Sequence, residues 1–103
     1  YFKVVNQTSP GDPVKRLIVQ HKQITAENTR VTTVRDDVAN KKTAAEGLGW
    51  NTSVGTPERA EYDDIVFRKA ALDEAVTLTT TRKASLGAAL TNAGINPATY
   101  LPL

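Results

Sequence analysis

"TPERAEYDDIVFRKAALDEAVTLTTTRKASLGAALTNAG" runs from Thr56 to Gly94, and its reading decides the fold. The stretch opens on Thr56-Pro57-Glu58: a hydroxyl suited to capping a helix, a ring whose fixed φ suits the first helical position, and an acid where the helix dipole favours an anion. Tyr62, Ile65, Lys69, Leu72, Val76, Thr79, Lys83, Leu86, Leu90 and Ala93 then follow in alternating steps of three and four. That is the spacing of a seam turned towards a second helix, as in a coiled coil. Gly94 and Pro97 end the pattern. About 38 residues would make roughly 57 Å of helix. Gly87 and the run Thr79-Thr80-Thr81 lower helix propensity and predict a kink or fray within it.

Upstream, apolar residues recur every seventh position at Leu17, Ile24, Val31, Val38 and Ala45, and Val34 and Leu48 widen the stripe. A first helix is expected from Thr25, with Glu27 in its first turn, Lys41 and Lys42 near its end and Gly47 as its stop. Asn28, Arg35 and Lys42 fall on or beside its seam. A polar residue there costs stability and can fix register. Between the helices lies "EGLGWNTSVGTPE", Glu46 to Glu58, with three of the six glycines and the only tryptophan. Two helices joined by about ten residues fold back most simply as an antiparallel hairpin. Lys41 and Lys42 would then face the acids Glu58, Glu61, Asp63 and Asp64 across it. Leu48 and Trp50 would fold down over Ala45, Arg59 and Tyr62, with Val54 beside them, or Trp50 would stay partly exposed as an anchor for a partner.

The N-terminal run Tyr1-Phe2-Lys3-Val4-Val5 is aromatic and β-branched and reads as a strand or extended arm. "NQTSPGDP", residues 6–13, is dense in turn formers. Val14 to Gln20 admits two readings: a second strand completing a small β-hairpin, or a helix capped by Asp12 with Pro13 first inside. The consecutive Leu17-Ile18-Val19 favours the strand. The expected organisation is mainly α: an N-terminal β or extended element over 1–24, an α-hairpin over 25–94 bending at about 47–56, and an apolar tail over 95–103 with Tyr100, Leu101 and Leu103.

The chain has 103 residues, enough for one domain, with a net charge of +2 and no cysteine. A disulfide framework and thiolate metal sites are therefore excluded. Without a methionine and with Tyr1 first, the chain is expected to be processed, trimmed or recorded in part. No signal peptide is visible, and no run approaches the roughly 18 apolar residues of a membrane span. Aromatic residues make up 6% of the chain, and much of the apolar share is alanine, so a large self-contained core is not expected.

Little in the chain points to chemistry. His21 is the only histidine, and a partly exposed place at a strand-to-helix junction is expected for it. Asp36-Asp37 and Asp63-Asp64 are helix neighbours about 100° apart, which does not converge two carboxylates on a substrate. The bend lacks the lysine of a phosphate-binding loop. Neither an enzyme nor a cofactor is expected. The basic residues are scattered among acids, against the single stripe that nucleic acid requires.

These features point to a structural subunit that assembles with itself or with other protein subunits. A Thr- and Ala-rich chain free of Cys and Met suits a large particle, such as a phage head or tail component, and a virion or the cytoplasm is the expected location. The alternative is an adaptor or a weak nucleic-acid-binding helical module. The interaction candidates are Trp50, Tyr1, Phe2, Tyr100, Leu101 and Leu103. The seam candidates are Ile24, Asn28, Val31, Val38, Tyr62, Ile65, Leu72, Val76, Leu86 and Leu90.

Overall fold

The computed structural model describes residues 11–103. Two long helices dominate it: α1 over Gly11–Gly47 and α2 over Pro57–Asn92, with a single 3-10 turn over Trp50–Thr52 between them. The backbone N–H of Arg59 donates to the Thr56 hydroxyl at 3.2 Å, so Thr56 is the N-cap and Pro57 the first helical residue. At the other end of α2, Gly94 takes a left-handed φ of 83°. Gly94 N–H donates to Thr91 O at 3.0 Å and Ile95 N–H to Leu90 O at 2.9 Å. This is a Schellman closure, in which glycine avoids the Cβ clash of the left-handed region. Ala93, the last residue of the expected seam, falls outside the helix and is exposed. At the end of α1 the left-handed residue is Gly49, φ 79°, rather than Gly47.

The chain divides into two compact units. A bend unit comprises Asn28–Leu78, and a terminal unit comprises, among the described residues, 11–27 and Thr79–Leu103. Within the bend unit the end of α1, the bend and the start of α2 form a helical hairpin. Arg35 and Asp73 meet across it at 3.4 Å, as do Glu46 and Tyr62 at 2.7 Å.

Along α1, positions 14, 17, 21, 24, 28, 31, 35, 38, 42 and 45 are all buried or half-buried, in alternating steps of three and four. Leu17, Ile24, Val31, Val38 and Ala45 form one row of this seam. The other row is Val14, His21, Asn28, Arg35 and Lys42, so polar groups occupy four of its five places. In α2, Tyr62, Ile65, Lys69, Leu72, Val76, Thr79, Lys83 and Leu86 are half-buried and Leu90 is fully buried. Buried apolar side chains among the described residues are Val31, Val38, Ala45 and Leu90.

One expectation is overturned. Val14 to Gln20 is helix, and α1 begins well before Thr25. The seven-residue spacing runs back through Leu17, and that periodicity outweighs the few tenths of a kcal/mol by which Ile18 and Val19 disfavour helix. On a helix three consecutive apolar residues point apart: Leu17 and Ile18 are half-buried and Val19 is exposed. No strand occurs among the described residues, so there is no β-hairpin over 14–20; the strand expected over Tyr1 to Val5 lies outside them.

α2 also runs unbroken through Thr79-Thr80-Thr81 and Gly87. Several threonines settle into the helices by donating to the carbonyl one turn back: Thr33 to Thr29, Thr43 to Ala39, Thr77 to Asp73 and Thr91 to Gly87.

Candidate functional site

In the terminal unit the chain beyond α2 folds into a short hydrogen-bonded tail. The Asn96 side-chain oxygen accepts from the N–H of Ala98 and of Thr99, an Asx turn, and Asn96 N–H donates to Leu101 O. Leu103 N–H donates to Gly94 O, and Ile95 bridges Pro102 in antiparallel fashion. At the centre Tyr100 adopts a left-handed φ of 61°. That turn carries its ring onto α1. The Tyr100 hydroxyl lies 2.7 Å from His21 Nδ1, with the rings edge to face at 5.5 Å. The Lys22 ammonium sits 5.0 Å from the centre of the Tyr100 ring, within cation–π range.

His21 is therefore not a partly exposed junction residue. It is 6% exposed, inside α1 and on its seam. Burial lowers its pKa below the usual histidine value, and the nearby Lys83 charge lowers it further. His21 packs beside Gly87, where a Cβ would lie 3.7 Å from His21 Nε2 and 3.8 Å from Pro97 Cβ, both ordinary contact distances. A hollow of about 380 Å³ opens beside this cluster, lined by His21, Thr25, Lys83, Pro97, Ala98 and Tyr100.

The bend unit satisfies its polar seam by pairing. The Glu46 carboxylate accepts from the Lys42 ammonium at 2.6 Å and from the Tyr62 hydroxyl at 2.7 Å. The hydrogen bond from Lys42, then that from Tyr62, holds Glu46 below the usual carboxylate range. Glu46 in return raises the pKa of Tyr62 and of Lys42. Arg35 bonds Asp36 at 2.9 Å and Asp73 at 3.4 Å, and Lys69 bonds Asp73 at 2.8 Å. Lys69, then Arg35, lowers the pKa of Asp73.

The ion pairs expected between Lys41 or Lys42 and the acidic start of α2 do not form. Lys41 pairs with Asp37, one turn back on its own helix, and Asp63 pairs with Arg59. Pairs four residues apart on one helix need no exact register across the hairpin, and they take these charges first.

Trp50 is half-buried and lines a hollow of about 210 Å³ with Lys41, Ala44, Ala45, Leu48, Glu61 and Ile65. Leu48 and Val54 do not fold down; they are 70% and 80% exposed. The bend is held by polar contacts instead. Arg59 Nη1 donates to Asn51 O, and the Thr52 and Ser53 hydroxyls donate to Gly49 O.

The structure thus brings Tyr100 to His21 and leaves Leu101 and Leu103 exposed at the surface. Tyr1 and Phe2 lie outside the described residues. Asn28, Ile24, Leu72, Val76 and Leu86 take half-buried seam places. Sequence reasoning missed His21 as a seam residue, although it stands four residues after Leu17 and three before Ile24. It also missed the outward pair Phe67 and Leu78, 73% and 62% exposed.

Among the described residues no three His, Cys, Asp or Glu side chains gather as a metal site would require, and no helix is long and apolar enough to cross a membrane. In comparisons with known protein families, curated proteins and solved structures, none matches the chain.

Proposed function

We propose that this chain is a non-enzymatic structural subunit that assembles with copies of itself, or with other protein subunits, into a larger particle. The observation that carries the reading is an imbalance of apolar burial. Four apolar side chains are buried among the described residues, while Phe67 and Leu78 stand out in solvent. Eleven residues is close to three helical turns, so these two share one face of α2 within about 20°, with Ala71 between them. Covering a side chain of this size contributes about 1.5–3 kcal/mol, which is what an association surface supplies.

Charge supports a partner of the same kind. Among the described residues the terminal unit holds five Lys and Arg against two Asp and Glu; the bend unit holds seven against nine. In the bend unit Arg35, Lys41, Lys42, Arg59, Arg68 and Lys69 are each engaged by a carboxylate. A basic unit of one copy set against an acidic unit of the next is a heterologous contact, the kind that builds rings or filaments. Light scattering across micromolar concentrations tests the proposal. Growth in mass with concentration is expected; a compact monomer with a cooperative melt at every concentration overturns it.

The same charge division favours one second reading, weak nucleic-acid binding through Lys15, Arg16, Lys22, Arg82 and Lys83. Counterion release would make that binding fall steeply between low and moderate salt, whereas apolar assembly changes little.

A further inference from the structure

We propose that the hollow in the terminal unit is a binding site for a small phosphate-type oxyanion, held by the Lys83 ammonium and the Nε2 edge of His21. The inference is independent of assembly. The walls supply one cation, one imidazole and the apolar surfaces of Pro97 and Ala98, with Thr25 and Tyr100 beside them; none of the lining residues is a carboxylate. Among the described residues no carboxylate lies within ion-pair distance of Lys83.

His21 has one ring nitrogen committed and one available. In the proposed site His21 is the neutral tautomer that accepts from the Tyr100 hydroxyl at Nδ1, so that Nε2 carries the proton and donates to the anion. Gly87 puts no side chain in front of that nitrogen. A point-charge ammonium beside a fixed N–H donor is a donor set a tetrahedral oxyanion uses, since several of its oxygens accept at once. The volume of about 380 Å³ exceeds a bare phosphate and leaves room for the organic part of a monoester against Pro97 and Ala98.

Binding is linked to protonation. The groups facing His21 are Lys83 from α2, Tyr100 from the tail and Lys22 from its own helix. An anion beside Lys83 cancels the repulsion that disfavours imidazolium, so bound anion raises the pH at which His21 titrates, and affinity rises as pH falls.

Because His21 is the only histidine, its ring Cε1–H signal in an NMR spectrum reports the site without assignment. Titrate the full chain with orthophosphate, with glycerol 3-phosphate, and with sodium chloride at matched ionic strength. Saturable displacement of the signal is expected with phosphate but not with chloride, together with an upward shift of its titration midpoint by roughly half a pH unit or more. Tighter binding of the ester identifies a monoester site, and equal binding a free-ion site; either supports the proposal. Lys83→Gln should remove the saturable response and Lys83→Arg should retain it. Ala98→Asp, which puts a carboxylate in the wall and is expected to weaken binding several-fold, is the second variant if Lys83→Gln loses helical circular dichroism. No saturation by about 50 mM phosphate, a response shared by chloride, or full binding by a folded Lys83→Gln variant overturns the site.

Discussion

The Tyr100 hydroxyl lies 2.7 Å from Nδ1 of His21 across 79 positions of sequence. This contact joins the tail to α1 within the terminal unit. It also resolves an awkward feature of α1, a titratable ring that is 6% exposed at a seam position. Removing the hydroxyl leaves the imidazole nitrogen buried without its partner. Tyr100→Phe is therefore expected to destabilise by about 1–2 kcal/mol in urea melts while keeping the ring contact. Hydrogen exchange at the amides of Asn96 and Leu103, which close the tail, should speed up. Unchanged exchange and stability would mean that the tail is held by its backbone bonds alone.

The pH dependence follows from the same ring. The folded pKa of His21 lies below its ordinary value of 6.5, so between those values the unfolded chain holds a proton that the folded one does not. Its contribution to stability is complete above pH 6.5 and is lost as pH falls through the window down to the folded value. Glu46 and Asp73 act in a separate window. Their folded pKa values lie below 4.5 and 3.8, so their contributions persist through neutral pH and disappear only in acid below those values. Urea midpoints should thus fall in two stages on acidification, and His21→Gln should abolish the first stage alone. A single acid transition in the parent chain would contradict this.

Gly87 offers a change in the other direction. A Cβ there meets His21 Nε2 and Pro97 Cβ at 3.7 Å and 3.8 Å, ordinary contact distances, and the backbone is helical. Gly87→Ala is expected to gain about 0.5–1 kcal/mol from helix propensity. Gly87→Leu has no such room and should destabilise by pushing the tail from α1. Thermal melts of the two variants should move in opposite directions.

How much of this was legible follows from the range of each interaction. The seam of α2 was readable in full up to Leu90, because burial on a helix repeats with the helix period and Thr56 and Gly94 mark the ends. The row Leu17, Ile24, Val31, Val38 and Ala45 was equally visible. Its extension through Val14–Gln20 was obscured because Leu17-Ile18-Val19 satisfies a local strand pattern, and the longer period prevails only when the whole helix is considered. The His21–Tyr100 contact was not legible. It depends on a left-handed Tyr100 and an Asx turn at Asn96, and nothing local in either segment names the other. The charge pairs were misassigned for the opposite reason: partners one turn away on the same helix outcompete partners across the hairpin.

Leu90 is the most deeply buried side chain described, with no exposed surface, and its carbonyl accepts the N–H of Ile95 in the closure of α2. Leu90→Ala opens a cavity where helix end and tail meet. A loss of about 2–5 kcal/mol is expected, which for a small domain removes much of the total stability. Circular dichroism melts of the isolated chain give the answer, and a loss under about 1 kcal/mol would show that the site collapses around the smaller side chain.

Phe67 and Leu78 separate assembly from folding. Both are largely exposed and lie on the face of α2 away from the seam positions Ile65, Leu72 and Val76. Phe67→Ser and Leu78→Ser remove apolar area that the monomer does not bury, so monomer stability should change by no more than about 0.5 kcal/mol. If this face meets a second copy, each change should raise the dissociation constant at least about tenfold, because covering such a side chain is worth more than the 1.4 kcal/mol of one decade. Serine at Val31, in the core of the bend unit, should instead lower the melting temperature of the monomer. Sedimentation equilibrium beside thermal melts distinguishes the two effects. Assembly that persists undiminished in the double variant Phe67→Ser/Leu78→Ser would remove this face from the interface and leave the charged surfaces of the two units as the contact.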